Sequence, residues 1–94
     1  MPARPLDVLH YELQAEKAAS LGRVAAKMEK ACAALREHGN RPGRDALVAE
    51  AAELVWFYVV QREALGWNDH REALRIYGVP PELVARMGPR RRPR

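Results

Sequence analysis

Between Leu54 and Val60 seven consecutive residues are apolar or aromatic, LVWFYVV, inside the Ala/Glu/Leu-rich segment DALVAEAAELVWFYVVQREALG of residues 45–66. Such a run fits a buried strand as well as a buried helix, and periodicity alone does not separate them. The flanks do. Asp45 is a good N-cap, Gly66 a good residue just past a C-terminus, and the segment between them lacks Gly and Pro and is rich in helix formers. A strand would need turn residues near Leu54 and Val60, and none are present. The segment is therefore expected to be one helix.

At about 100° per residue, Leu47, Ala51, Leu54, Val55, Tyr58 and Leu65 share one face, which is expected to lie on the core. Trp56 and Val60 point the opposite way, beside Ala49, Glu53 and Glu63. A helix that is apolar all round is normally covered on two sides. Either the C-terminal part of the chain folds over Trp56, Phe57, Val59 and Val60, or these residues form a self-association or partner surface. An aromatic centre ringed by charge fits the second alternative.

With 94 residues, 48% hydrophobic and 30% charged, the chain is sized and composed for one folded domain. No apolar stretch approaches the roughly 20 residues that span a bilayer, and the opening MPARPLDVLH has no signal-peptide core, so a cytoplasmic location is expected. Cys32 is the only cysteine, which rules out an intrachain disulfide; its register with Met28 and Leu35 makes it a small core residue. The net charge of +4 has a local origin. Arg90, Arg91, Arg92 and Arg94 are four of the sixteen basic residues, and without them twelve remain against twelve acidic ones. The basic character belongs to the tail and not to a folded surface.

Read in order, residues 1–6 are an extended lead-in with two prolines, and Asp7 caps a first helix that runs from Val8 to about Glu37. Leu21, Ala25, Met28, Cys32 and Leu35 form its core stripe, preceded by Val8, Leu9 and Leu13. The small residues Ala15, Ala18, Ala19, Gly22 and Ala26 between them suggest a close helix crossing near Gly22, with a helix break there as the alternative. Residues 38–44, HGNRPGR, end the helix in a short turn, which makes the first and second helices antiparallel neighbours. Val8 to Lys17 then overhang the end of the second helix. Residues 67–88 supply two short helices, about Asp69 to Tyr77 and a second with prolines in its first turn, ended by Gly78 and Gly88. Their apolar residues, Trp67, Leu74, Ile76, Tyr77, Val79, Leu83, Val84 and Met87, are expected to close the open end of the hairpin. The expected fold is thus all-α: a long antiparallel helical hairpin capped by two short C-terminal helices, one domain over residues 1–88, with 89–94 as a disordered arginine-rich tail.

Chemistry is hard to assemble from these residues. His10, His38 and His70 stand far apart, no Glu-x-x-His pair of the di-iron kind occurs, and Glu50 with Glu53 reads as a solvated face. There is no Gly-rich phosphate loop, and neither Ser20 nor Cys32 has an adjacent base. No catalytic, cofactor or metal residue is nominated, and the chain is not expected to be an enzyme.

Residues 69–87 have loose helix-turn-helix spacing. The start of the would-be reading helix, Pro80, Pro81 and Glu82, cannot make base-specific pairs, and Glu82 would oppose phosphate. Arg86 and the tail arginines Arg90, Arg91, Arg92 and Arg94 are the candidate nucleic-acid contacts, acting through charge and therefore weakly.

The run AEAAELVWFYVVQREALGWNDHREALRIYGVPPELVARMG of residues 49–88 and the opening DVLHYELQAEKAASLGR of residues 7–23 resemble a family of small bacterial proteins known only as a domain of unknown function. YVVQRE at Tyr58–Glu63 and YGVPPELVARMG at Tyr77–Gly88 are the most specific parts, and the tail lies outside the likeness. The resemblance implies a compact helical fold and brings no activity, ligand or site residue. Together these readings point to a non-enzymatic interaction or self-association module, a homodimer or a binder of a protein partner, with Trp56, Phe57, Val59 and Val60 as contacts. The alternative is a nucleic-acid binder using residues 69–87 and the tail.

Overall fold

A computed structural model describes residues 4–88. Four helices follow in order: α1 (Pro5–His38), α2 (Arg44–Ala64), α3 (Arg71–Ile76) and α4 (Pro81–Arg86). α1 begins with a proline at its first turn, where a missing N–H is harmless, and carries Asp7 near its positive end. It runs unbroken through Gly22. No close crossing occurs there: a Cβ added to Gly22 would meet nothing within 4 Å.

The turn at residues 39–43 is held by the His38 ring, whose Nε2 donates toward the carbonyls of Arg41 (3.1 Å) and Pro42 (2.9 Å), while Arg41 Nε returns a bond to the His38 carbonyl. α2 then comes back antiparallel to α1, and Ser20 Oγ donates to Gln61 Oε1 at 3.1 Å near the far end of their overlap. α2 starts one residue before Asp45, which sits in the first turn rather than capping it. At the other end Gly66, at φ +89°, donates to the Glu63 carbonyl while Trp67 donates to that of Arg62. This paired 5→2 and 6→1 arrangement needs the left-handed residue that glycine supplies. The same motif ends α3, with Gly78 bonded to Arg75 and Val79 to Leu74.

The core runs along one side of each long helix. Ala25, Met28, Cys32 and Leu35 of α1 meet Val48, Ala51, Ala52, Val55, Tyr58 and Val59 of α2, with Leu74 of α3 and Leu83 of α4 closing it. Leu47 and Leu54 pack only at its edge.

The C-terminal pair does not close the open end of the hairpin. It folds back toward the turn: Arg44 at the start of α2 pairs with Glu82 of α4, Arg36 Nη1 donates to the Gly78 carbonyl, and Tyr58 meets Tyr77 edge-on at 5.5 Å. Leu74 and Leu83 reach the core, whereas Trp67, Ile76, Val84 and Met87 stay exposed. α3 is also shorter than expected. It is preceded by His70, and Asp69 Oδ1 accepts the Arg71 N–H at 3.2 Å instead of forming a capping box with Glu72. No described helix is long and apolar enough to cross a membrane.

Candidate interaction surface

Among the described residues, and besides Trp67, Ile76, Val84 and Met87 of the C-terminal segment, three groups of apolar side chains lie outside the core. The first is the outward arc of α2. Trp56 is half-buried, with its ring centroid 5.2 Å from that of Phe57, and Phe57 and Val60 are 40% and 43% exposed. Val59, expected in this patch, is not part of it. At 6% exposure it belongs to the core, because it lies one turn beyond Val55 on the stripe that α1 and the C-terminal pair cover.

The second group is the free end of α1. Every residue from Pro5 to Ala19 is exposed, and Ser20 is the first to be half-covered. Leu6, Leu9 and Leu13, at 76%, 52% and 52% exposure, repeat at steps of three and four and so share one stripe. Val8 and Tyr11 are exposed on other faces of the same turns. Sequence reasoning found this overhang from helix lengths but assigned it a cover that the fold uses elsewhere.

The third group was visible in the sequence only as two leucines of the core face. An open groove of about 350 Å³ runs between α1 and α2, floored by Ala31, Ala34, Leu47 and Leu54 and edged by Lys27 and Lys30 on one side and Glu50 on the other. Only α1 and α2 line it. Its signal was present as Leu47 and Leu54 on the edge of the core face, but a helix wheel does not say whether a neighbour reaches that edge.

Near the C-terminus of α2 the α2–α3 corner is organised by Arg62, a residue the sequence reading passed over. Its guanidinium lies 5.1 Å from the Trp67 ring centroid and 5.8 Å from that of Tyr58. Its Nε donates to His70 Nδ1 at 3.1 Å and its Nη2 to the Asp69 carbonyl at 3.0 Å. Nδ1 accepts, so the imidazole proton sits on Nε2. The cluster is packing and corner geometry; it leaves Arg62 stacked between two aromatic rings.

The helix-turn-helix-like pair consists of helices of only six residues each. Glu82 in the first turn of α4 is tied to Arg44, which with its hydrogen bond holds the Glu82 carboxyl below the usual carboxylate range. Arg86 is exposed; Arg90, Arg91, Arg92 and Arg94 lie outside the described residues. Cys32 is buried in the core, where desolvation pushes its thiol pKa up and Arg36 pulls it partly back. Among the described residues no group of three or more His, Cys, Asp or Glu side chains is placed to hold a metal ion.

A family of unknown function (DUF6665) matches residues 2–93. The match takes in most of the arginine tail, beyond Gly88, where the likeness read from the sequence stopped. No curated protein and no solved structure matches the chain.

Proposed function

Since the chain belongs to this family of unknown function, its site and not its kinship must suggest a role, and we propose that it is a non-enzymatic helical interaction module that self-associates. One observation carries the reading. The first fifteen residues of α1 are exposed throughout and display Leu6, Val8, Leu9, Tyr11 and Leu13. Helical segments of about this length are marginal in water without packing. Monomeric proteins seldom leave an apolar stripe such as Leu6, Leu9 and Leu13 wet. The arc of Trp56, Phe57 and Val60 is assigned to contact with a protein partner on the same grounds.

Nucleic-acid binding through residues 69–87 is the weaker reading. Glu82 stands where a reading helix would approach phosphate, and its charge opposes that approach. The mass of the wild-type chain in solution, measured by light scattering across a range of concentrations, tests self-association. A mass above that of one chain supports it, and a monomer at every concentration contradicts it.

A further inference from the structure

The free end of α1 carries an exposed leucine stripe beside acidic residues, and the groove between α1 and α2 is lined by apolar residues with lysines on its α1 side. We infer that they are two halves of one interface, in which the Leu6–Leu9–Leu13 stripe of one copy docks into the groove at Lys27, Lys30, Ala31, Ala34, Leu47 and Leu54 of a second copy. The inference rests on the self-association reading and names how the copies meet.

A straight α-helix returns to the same azimuth after about 18 residues, five turns. On that count Leu9 lies in line with Lys27, Leu13 with Ala31, and Glu12 with Lys30. The stripe and the α1 wall of the groove therefore occupy one face of the same helix. Two copies of α1 laid antiparallel with a two-fold axis near Ser20 bring Leu6 to Ala34, Leu9 to Ala31 and Leu13 to Lys27 of the partner, with the same contacts repeated in reverse. Both grooves are then filled and the assembly closes at two chains. A chain cannot fill its own groove, because stripe and groove lie at opposite ends of one continuous helix.

Charge selects the same arrangement. The stripe is flanked by Glu12 and Glu16, and the corresponding flank of the groove half of α1 carries Arg23 and Lys30. Antiparallel pairing sets like flanks against each other, so Glu12 faces Lys30 and Glu16 faces Arg23 across the interface. On the opposite flank His10 comes level with Glu50, the acidic residue on the α2 edge of the groove. A parallel pairing would leave the stripe on itself and both grooves open. Within one chain Glu16 already pairs with Arg23 at 3.1 Å on the surface, so that pair has only to exchange partners. A lipid surface fits less well: Asp7, Glu12 and Glu16 outnumber Arg4 and Lys17 over the free end, and anionic headgroups would repel them. The recognition is that of an amphipathic helix in an apolar groove, with charged rims setting the register.

Sedimentation equilibrium on the full chain tests it with five variants. Leu9→Glu/Leu13→Glu changes only exposed side chains, so the near-ultraviolet dichroism from the Tyr58–Tyr77 contact should stay that of the wild type while the dimer dissociation constant rises at least about a hundredfold. Glu12→Lys and Lys30→Glu should each weaken the dimer, and the two together should restore it. Val60→Glu, on the outward arc of α2, should leave it intact. A dimer split by Val60→Glu but not by Leu9→Glu/Leu13→Glu would overturn this interface and leave self-association standing. A wild type that is monomeric at every concentration would overturn both. A monomer that co-sediments with phosphatidylglycerol vesicles would place the stripe on lipid and overturn the inference as well.

Discussion

The two halves of α1 are built from similar residues and have opposite fates. From Leu21 onward, Ala25, Met28, Cys32 and Leu35 are buried against α2 and the C-terminal pair. From Pro5 to Ala19, every residue is exposed, a stripe of three leucines included. Helix propensity does not distinguish the halves, and neither does the presence of an apolar stripe. The difference is the length of α2: with 21 residues against the 34 of α1, it runs out near Ser20. Whether a stripe becomes core is decided by what the rest of the chain can reach, and the remainder is left for another molecule.

If the halves differ in this way, substitutions should sort by side of Ser20. Met28→Ala, at a fully buried position, should lower the unfolding free energy by about 2–5 kcal/mol in urea titrations. Gly22→Ala should raise it by about 0.5–1 kcal/mol, because a helical glycine with open space around it gains propensity and meets no clash. Leu13→Ala, measured at concentrations too dilute for association, should change it by no more than about 0.5 kcal/mol. Equal losses at Met28 and Leu13 in dilute solution would break the comparison.

Two further tests concern the packed half and its cover. Cys32, with its thiol pKa raised by burial, should react with a thiol reagent only as fast as the chain unfolds; rapid labelling of the native protein would show that the core is open at that position. The smallest expected effect is on α4. Glu82, with its pKa lowered chiefly by the hydrogen bond from Arg44, contributes stability above the unfolded carboxyl value that is lost as pH falls through the depressed one. Below the usual carboxylate range, near-ultraviolet dichroism from the Tyr58–Tyr77 contact should weaken before the helical signal does. Asp69 and Glu72 are shifted the same way by Arg71 and Arg75 and act in the same window, on the surface of α3.

The helices themselves were legible in the sequence. The uninterrupted segment up to Gly66 and the glycines after α2 and α3 marked real ends, because a left-handed residue is a local requirement that leaves a local trace. The position of α3 and α4 was not legible. It depends on Arg44 with Glu82, Arg36 with the Gly78 carbonyl and Tyr58 with Tyr77, contacts between distant residues that no periodicity encodes. Val59 is different: one turn beyond Val55, it belongs to the core-facing stripe, so its burial was legible in the sequence. The groove beside Leu47 and Leu54 was not, because it follows from how wide an arc α1 and the C-terminal pair jointly cover. The missing information lay in docking, not in local structure.

Amide hydrogen exchange along α1, followed at low and at high protein concentration, tests the central claim most directly. Amides of residues 25–35 should be protected equally at both concentrations. Those of residues 6–16 should exchange rapidly when dilute and become protected as concentration rises, in step with the dimer population. Exchange in residues 6–16 that is equally fast at both concentrations would contradict the account.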